Sequence, residues 1–253
     1  MGEHIARATP TKKKSSNIFW NIVGVIGELL ITFAFIIGLF SVWQLYWTTY
    51  QVAGQVTQTI ASYEEEHQPS KRTQGETRTD APPEFTREVA SGEVYGLVHV
   101  PTWDWMKIPL AEGTTSYVLD QGWAGHYDMT TQPGGVGNFS VAGHRRTYGN
   151  NFRWIDRLTQ GDKVVVEVDD RYLVYSMVSS EIIDATDPAQ MRVVAPVIDD
   201  LSWSKIPTER WMTMTTCHPE YGNWQRYIVH LKFESWTPKD TGVPAELVDD
   251  PTN

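Results

Sequence analysis

Cys217, the one cysteine in the sequence, is the side chain best suited to covalent chemistry. It ends the β-type run that begins at Met212, and His218-Pro219 stops that run. A side chain at the end of a strand lies at the rim of a sheet, where a substrate can reach it. A lone cysteine is either a nucleophile or an inert buried residue that packs as a small hydrophobe. The residue type alone leaves both interpretations open.

Arg226 opens the next β-type run, after the turn-rich segment 220–225. If the two runs form adjacent antiparallel strands, Arg226 and Cys217 lie close together. A guanidinium beside a thiol can favour the thiolate, bind a substrate carbonyl and stabilise an oxyanion. The competing interpretation is an ordinary surface residue of a strand.

A thiol nucleophile also needs an acid or base, and His144 is the favoured candidate. It follows the apolar run 139–143, so it also lies at a strand end, and Gly143 permits close approach of a neighbouring chain. His126 lies in a Gly-rich loop and could line the site. His218 is turned away from the cysteine by strand alternation, and His230 lies in the middle of a strand.

The elements that would position these residues are short β-type runs, rich in Val, Ile, Tyr and Thr and separated by Gly, Pro and Asp. Examples of these runs are Val94–Val100, Phe139–Ala142, Lys163–Val168, Tyr172–Ile183, Met212–Thr216 and Tyr227–Phe233. Helical signals are short, such as Phe152–Leu158. This spacing predicts a mainly β domain, a barrel or sandwich, rather than βαβ units.

The N-terminal region predicts a membrane anchor. Residues 1–17 are basic, and residues 18–47 form the predicted transmembrane signal anchor. Its apolar run Ile18 to Phe40 would extend about 35 Å as a helix, enough to cross a bilayer. Trp43, Tyr46 and Trp47 follow, as an interfacial aromatic belt would. The positive-inside rule predicts a cytoplasmic N-terminus and an external C-terminal part.

The rest of the chain divides by composition into three segments. Residues 48–88 are predicted to be an extracellular linker, helical in its first half and flexible in its Pro-containing second half. Residues 89–238 form the predicted globular domain, and residues 239–253 an acidic flexible tail. The formal net charge of −10 argues against a nucleic-acid partner. A single cysteine excludes a disulfide framework and a four-thiolate metal site.

Two segments resemble the sortase family. Thr213-Met214-Thr215-Thr216-Cys217 is similar to its Thr-Leu-x-Thr-Cys strand, which an Arg follows after the next loop, and Ala142-Gly143-His144 is similar to its catalytic-His segment. The order His, Cys, Arg and the N-terminal anchor also agree, and the resemblance covers about residues 92–236. Met214 stands where the signature usually has Leu, a change of similar volume.

Further segments resemble class E sortases of high-GC Gram-positive bacteria. These are Glu28–Thr32, Gln44–Thr48, Gly96–Pro101, Gly125–Tyr127, Gly137–Phe139 and Gly143–Gly149. Class C pilin polymerases usually carry an Asp-Pro-aromatic lid and often a second span, whereas Asp80-Ala81-Pro82-Pro83 lacks that lid pattern. A housekeeping anchoring enzyme is therefore favoured over a pilus polymerase.

The resemblance implies an eight-stranded sortase-type β-barrel with short helices and a cysteine transpeptidase. Cys217 would attack the Thr–Gly bond of a C-terminal sorting signal and form a thioacyl enzyme. His144 would act as acid and then base, and Arg226 would hold the substrate backbone and the oxyanion. Thr216, Tyr127 and His126 are weaker candidates for substrate binding. The chemistry requires neither a cofactor nor a metal.

The implied partners are surface proteins with a Leu-Ala-x-Thr-Gly or Leu-Pro-x-Thr-Gly type signal, and an amine of lipid II or of a peptidoglycan stem peptide. The protein would lie in the cell membrane as a single-pass protein in contact with membrane lipid. Three alternatives remain at this stage: a pilin-polymerising sortase, a membrane-anchored non-catalytic binding module on the same fold, and a structural wall-spanning protein with a Trp-rich surface. A papain-like protease is disfavoured, because its nucleophile begins a helix whereas the pattern here is a strand.

Overall fold

The computed structural model describes residues 18–252, so the predicted basic tail 1–17 lies outside the described residues. The first element, α1 (Ile18–Glu66), is one continuous helix. Its N-terminal part is long and apolar enough to cross a membrane, as the sequence predicts. Contacts divide the chain after Gln44, and the second compact unit begins at Leu45. The second half of α1 therefore belongs to the same unit as the domain that follows.

Eight strands form a closed barrel within the described residues, as the family resemblance implies. They are β1 (Val94–Val100), β2 (Met106–Glu112), β3 (Ala124–His126), β4 (Gly137–Ala142), β5 (Lys163–Val168), β6 (Arg171–Asp184), β7 (Arg210–His218) and β8 (Gln225–Pro238). The order around the barrel is β1-β2-β3-β4-β7-β8-β6-β5. β3 pairs with β2, and β4 with β7, in parallel, whereas the other neighbours are antiparallel.

Short helices connect these strands. The one further α-helix is the single turn α2 (Ser116–Leu119) among the described residues. Short 3-10 helices lie at Pro101–Trp103, Ile155–Arg157, Pro188–Val194 and Ala245–Leu247. The predicted helical stretch Phe152–Leu158 thus contains only one 3-10 turn. The segment between β6 and β7, which includes Pro188–Val194, runs across the outer face of the barrel wall.

The barrel interior is filled by large apolar side chains, among them Tyr95, Leu110, Phe139, Met212 and Met214, which are fully buried. On β7 the two methionines alternate with Thr213 and Thr215. Because successive strand side chains point to opposite faces, the threonines lie on the outer face of the wall. This alternation decides which face Cys217 occupies.

The second half of the predicted linker and the predicted tail both pack on the barrel in the structure. Their composition instead predicts that both segments are flexible. Gln74 bridges to Val243, and Arg78 bridges to Trp236 on β8. Val243 and Leu247 are buried against the outer face of β5 and β6. A few apolar residues within a polar, Pro-containing segment were enough to hold it in place, because a complementary surface exists on the folded barrel. Composition alone carries no information about that surface.

A buried ion cluster holds the tail and the end of α1 to the same wall. Glu167 on β5 contacts His99 Nε2 at 2.6 Å and Lys239 Nζ at 2.7 Å. Lys239 also donates to the carbonyl of His67, at 2.9 Å, and lies over the ring of Tyr63. Burial alone would raise the pKa of Glu167, but the hydrogen bonds and charges of His99 and Lys239 outweigh it and hold that pKa below its ordinary value.

Candidate active site

Cys217 lies near the end of β7, on the same face as Thr213 and Thr215. It is free and half-buried, so its thiol is neither locked in the core nor fully exposed. The strand alternates because Met212 and Met214 are drawn into the barrel interior. The thiol therefore lies at the end of a strand, as the sequence predicts.

Arg226 is the register partner of Cys217 across the antiparallel pair β7–β8. Directly opposed residues of an antiparallel pair have their side chains on the same face, with Cβ atoms about 5 Å apart. One nitrogen of the guanidinium, Nη1, donates to the carbonyls of Asn223 and Gln225, at 2.7 and 2.9 Å. The loop between the strands thus fixes the side chain. Within the described residues, Nε and Nη2 make no hydrogen bond and are free to donate to a substrate.

His144 reaches the same rim from the neighbouring strand. β4 and β7 run parallel with Ala142 beside Thr215, and the alignment continues beyond β4 because the Gly143 N–H donates to the Thr215 carbonyl, at 3.1 Å. Two positions beyond Ala142 and Thr215, this register aligns His144 with Cys217. The structure therefore brings Cys217, Arg226 and His144 to one end of three adjacent strands.

Asp120 and Tyr148 fix the His144 ring. Asp120 Oδ1 lies 2.8 Å from His144 Nε2, and the Tyr148 ring packs against the imidazole with centroids 5.3 Å apart. Since Nε2 is engaged by a carboxylate, Nδ1 is the nitrogen that remains for proton transfer. Sequence reasoning missed Asp120, and no local signal marks it, because it lies 24 residues before His144 in a loop after α2.

The second half of α1 packs against the loops that orient His144. Val52 is buried, and its side chain lies against both Gly122 and Gly149, which belong to the loops that carry Asp120 and Tyr148. Gln55 Nε2 donates to Gln121 Oε1, at 2.8 Å. The two loops that orient His144 are thus held to the part of α1 that follows the predicted anchor.

His218 faces away from the thiol, as strand alternation predicts. Its Nδ1 accepts a hydrogen bond from Arg145, at 2.8 Å, and Arg145 also donates to Asp156, at 2.7 Å. Burial and the Arg145 charge lower the pKa of His218, so it is a neutral acceptor near pH 7. His230 is buried between Thr213 and Glu181, under the segment that covers the outer face.

Of the three weaker substrate-binding candidates, the structure places only Tyr127 in a groove. His126 is fully buried, with Nδ1 2.9 Å from Glu112 and Nε2 3.0 Å from the Thr131 carbonyl. Thr216 is also buried, and its hydroxyl donates to the Gly143 carbonyl, at 2.6 Å. In this conformation the polar atoms of both side chains are engaged by hydrogen bonds within the wall.

The groove that Tyr127 lines extends from Arg226 along the outer face and has a volume of about 310 Å³. Tyr127 donates to or accepts from Thr215 across its floor, with the two oxygens 2.9 Å apart. Burial raises the pKa of Tyr127, so the phenol stays protonated. Ile183, Val194 and Ile228 supply apolar walls. Thr215 was missed in the sequence, although period-two alternation places it on the face of Cys217.

Comparison with known proteins points to one family. A family model described as the Sortase domain matches residues 98–234. Over 229 residues the chain is 37% identical to Sortase SrtE1 of Streptomyces coelicolor, covering 88% of this chain and 60% of that protein. It is 30% identical to Sortase SrtE2 of the same organism over 223 residues, covering 86% and 84%. The chain thus spans 60% of the length of Sortase SrtE1.

Solved structures show the same likeness. The SrtA sortase from Actinomyces oris matches with a TM-score of 0.64 and 44% identity, over 70% of this chain and 98% of that one. Sortase E1 from Streptomyces coelicolor, solved with a tripeptide in its active site, matches with a TM-score of 0.55 and 40% identity, over 63% and 99%.

Proposed function

Because this chain belongs to the sortase family, in class E, we propose that it is a cysteine transpeptidase that joins surface proteins to a cell-wall precursor. The observation that carries the proposal is the convergence of Cys217, His144 and Arg226 at one end of β7, β4 and β8. A half-buried free thiol whose register partner, Arg226, lines a groove also favours catalysis over a non-catalytic binding module.

In the first half-reaction Cys217 is the nucleophile. Its Sγ forms a bond to the carbonyl carbon of the Thr in a C-terminal sorting signal, and the Thr–Gly amide bond breaks. His144 takes the thiol proton as Sγ attacks and gives it to the departing Gly amine, so that the leaving group is neutral. The products are a thioacyl enzyme and the released C-terminal fragment.

In the second half-reaction an amine of the peptidoglycan precursor attacks the thioester. His144 takes the proton from the attacking amine, the new amide forms, and the Cys217 sulfur leaves and is restored. Asp120 holds the imidazole orientation through Nε2 while Nδ1 exchanges the proton.

Arg226 stabilises the charge that develops in both steps. The carbonyl oxygen of the substrate becomes an oxyanion as the tetrahedral intermediate forms, and a fixed guanidinium donates to it best in the transition state. Its Nη1 is already held by the loop carbonyls of Asn223 and Gln225. Nε and Nη2 then supply the planar pair of donors that suits an oxyanion or a backbone carbonyl.

The groove lined by Tyr127 and Thr215 would hold the residues of the signal that precede Thr. The apolar walls of this groove and the paired hydroxyls of Tyr127 and Thr215 suit a short side chain. This is consistent with the Leu-Ala-x-Thr-Gly signal expected for class E. The N-terminal helix would anchor the protein in the membrane with the barrel outside the cell, where sorting signals and precursor amines meet.

The test uses the full chain in detergent with Leu-Ala-Glu-Thr-Gly and Leu-Pro-Glu-Thr-Gly peptides, with and without an added amine. We expect an amine-linked product cut after Thr, formed faster from the Ala peptide. Cleavage that favours the Pro peptide would contradict the signal assignment. Absence of any cut peptide would contradict the transpeptidase.

A further inference from the structure

The loop between β4 and β5 concentrates positive charge beside the proposed active site. It carries Arg145, Arg146, Arg153 and Arg157 in a chain whose formal net charge is −10. Asp156 pairs with Arg145, and Glu220 pairs with Arg146. The loop itself carries four arginines against Asp156 and Asp162, a formal excess of two positive charges, and Glu220 of the β7–β8 loop offsets one of them.

Arg145 ties the loop to the catalytic strand. It is buried, and it bridges Asp156 and His218, the residue that follows Cys217. The other three arginines, which we name the arginine cluster (Arg146, Arg153 and Arg157), are more exposed. Arg146 pairs with Glu220 in the loop that follows Cys217, and its charge acts on Arg153, so the cluster adjoins the proposed site through Arg146.

Aromatic rings hold the arginine cluster in place. Arg153 and Arg157 lie against the ring of Trp154, with guanidinium carbons 3.9 and 4.8 Å from its centroid. Arg146 lies over the ring of Tyr221, at 4.9 Å. Stacking of this kind fixes the plane of a guanidinium and leaves its N–H edge free to bind an anion. No carboxylate of the described residues pairs with Arg153 or Arg157.

The guanidiniums of the arginine cluster repel one another. Burial lowers the pKa of Arg153, and the charges of Arg146 and Arg157 lower it further. The Nε atoms of Arg146 and Arg153 are buried without a hydrogen-bond partner. A dianion bound at the exposed N–H edges would offset the repulsion among the three guanidiniums, which a neutral peptide would not do.

We propose that Arg146, Arg153 and Arg157 bind phosphate groups and thereby position a lipid-linked amine donor for attack on the thioester. The inference rests on the proposed transpeptidation, since it assigns a place to the second substrate. Arginine forks match phosphate oxygens in pairs, and aromatic stacking pre-orders them. The phosphate comes from one of two sources with the same chemistry: the diphosphate of the precursor or the headgroup of a bilayer phospholipid.

The experiment compares two acceptors on the full chain in a phosphate-free detergent. One is a nucleotide-linked muropeptide, which carries a diphosphate and a free amine, and the other is the same stem peptide without phosphate. In Arg153→Gln/Arg157→Gln we expect the ratio of kcat/KM for the diphosphate acceptor to that for the plain peptide to fall at least tenfold. Inorganic pyrophosphate should inhibit use of the diphosphate acceptor in the wild type, and at least tenfold more weakly in the variant.

The matched control is Lys205→Gln/Lys232→Gln, which removes two charges at the opposite end of β7 from Cys217 and should keep the wild-type ratio. A second arm repeats the assay in nanodiscs with neutral or anionic phospholipid. A loss in the variant that appears only with anionic lipid identifies the headgroup as the phosphate source. An unchanged ratio in both arms overturns the phosphate site. Thioacyl formation is followed in the same samples, and its absence in the wild type would contradict the transpeptidase instead.

Discussion

Cys217 and Arg226 occupy directly paired positions on the antiparallel strands β7 and β8. The pairing places a free thiol and a guanidinium on the same face of the barrel wall. His144, which follows β4, lies at the same rim. The loop carbonyls that bind Nη1 fix the Arg226 side chain. The oxyanion donor is therefore positioned before any substrate arrives.

Replacing Arg226 tests its proposed role. In Arg226→Ala we expect kcat/KM for thioacyl formation to fall about 10²–10³-fold, the usual cost of losing an oxyanion donor. Arg226→Lys keeps the charge but loses the planar fork, so it should recover only part of the loss. Stopped-flow release of the C-terminal fragment measures both variants. An Ala variant within twofold of the wild type would contradict the role.

Asp120 is expected to act through His144 rather than on the substrate. Asp120→Asn should lower kcat about tenfold to a hundredfold and change KM little, because the imidazole loses its fixed orientation. Asp240→Asn, an exposed change in the tail, is the control and should match the wild type. A KM increase at constant kcat would instead place Asp120 in substrate binding.

The contact between α1 and the catalytic loops can be tested at Gly122. A Cβ at Gly122 would lie 2.9 Å from the Val56 side chain and 3.0 Å from the Tyr148 carbonyl, so Gly122→Ala must push these elements apart. We expect kcat to fall roughly tenfold as the loops that hold His144 shift.

Gly161→Ala separates this effect from backbone strain. Both glycines have positive φ, 79° and 94°, so each alanine costs about 1 kcal/mol of folding free energy. Nothing lies within 4 Å of a Cβ at Gly161. The Gly161 variant should lose stability but keep kcat, and an equal loss of kcat in both variants would rule out a specific role for the helix contact.

The buried cluster around Glu167 gives a prediction on stability. Glu167→Gln should cost about 3 kcal/mol, because Lys239 and His99 are left without their anion. Glu234→Gln, at a half-exposed pair with Lys163, should cost about 1 kcal/mol or less. Denaturant unfolding, followed by tryptophan fluorescence, measures both. Equal costs for the two variants would contradict the importance of the buried cluster.

The same cluster has a pH signature. The folded-state pKa of Glu167 is below its ordinary value, so the carboxylate contributes stability that is present above the unfolded pKa and is lost as pH falls through the folded pKa. The difference in unfolding free energy between the wild type and Glu167→Gln should therefore be constant above about pH 5 and shrink in more acidic solution. If this difference in unfolding free energy grows as the pH falls, the pKa of Glu167 is raised by folding rather than lowered.

Local sequence patterns were sufficient for much of the fold. β1 and β5 have the predicted bounds, and the strand that ends at Cys217 pairs with the one that begins at Arg226, as the short turn-rich loop predicts. β2 was missed because Pro109 interrupts its apolar pattern, and β3 is only three residues long. Alternation in β7 also explains why Thr215, rather than Thr216, lines the groove.

The features that sequence reasoning did not reach depend on long-range contacts. Asp120 meets His144 only because the barrel closes, and the tail is ordered by a surface formed from β5 and β6. His126 illustrates the reverse case. A histidine in a Gly-rich loop has the composition of a site residue, but its register partner Glu112 binds it inside the wall.

In the proposed mechanism Cys217 carries the acyl group. Intact-mass analysis of the full chain with a Leu-Ala-Glu-Thr-Gly peptide, quenched in acid before the second half-reaction, tests it most directly. We predict a mass increase equal to the acyl fragment ending in Thr, located on the peptide that contains Cys217 and absent in Cys217→Ala. A thiol that reacts with a small alkylating agent but never acquires the acyl group, or an adduct that persists in Cys217→Ala, would contradict the account.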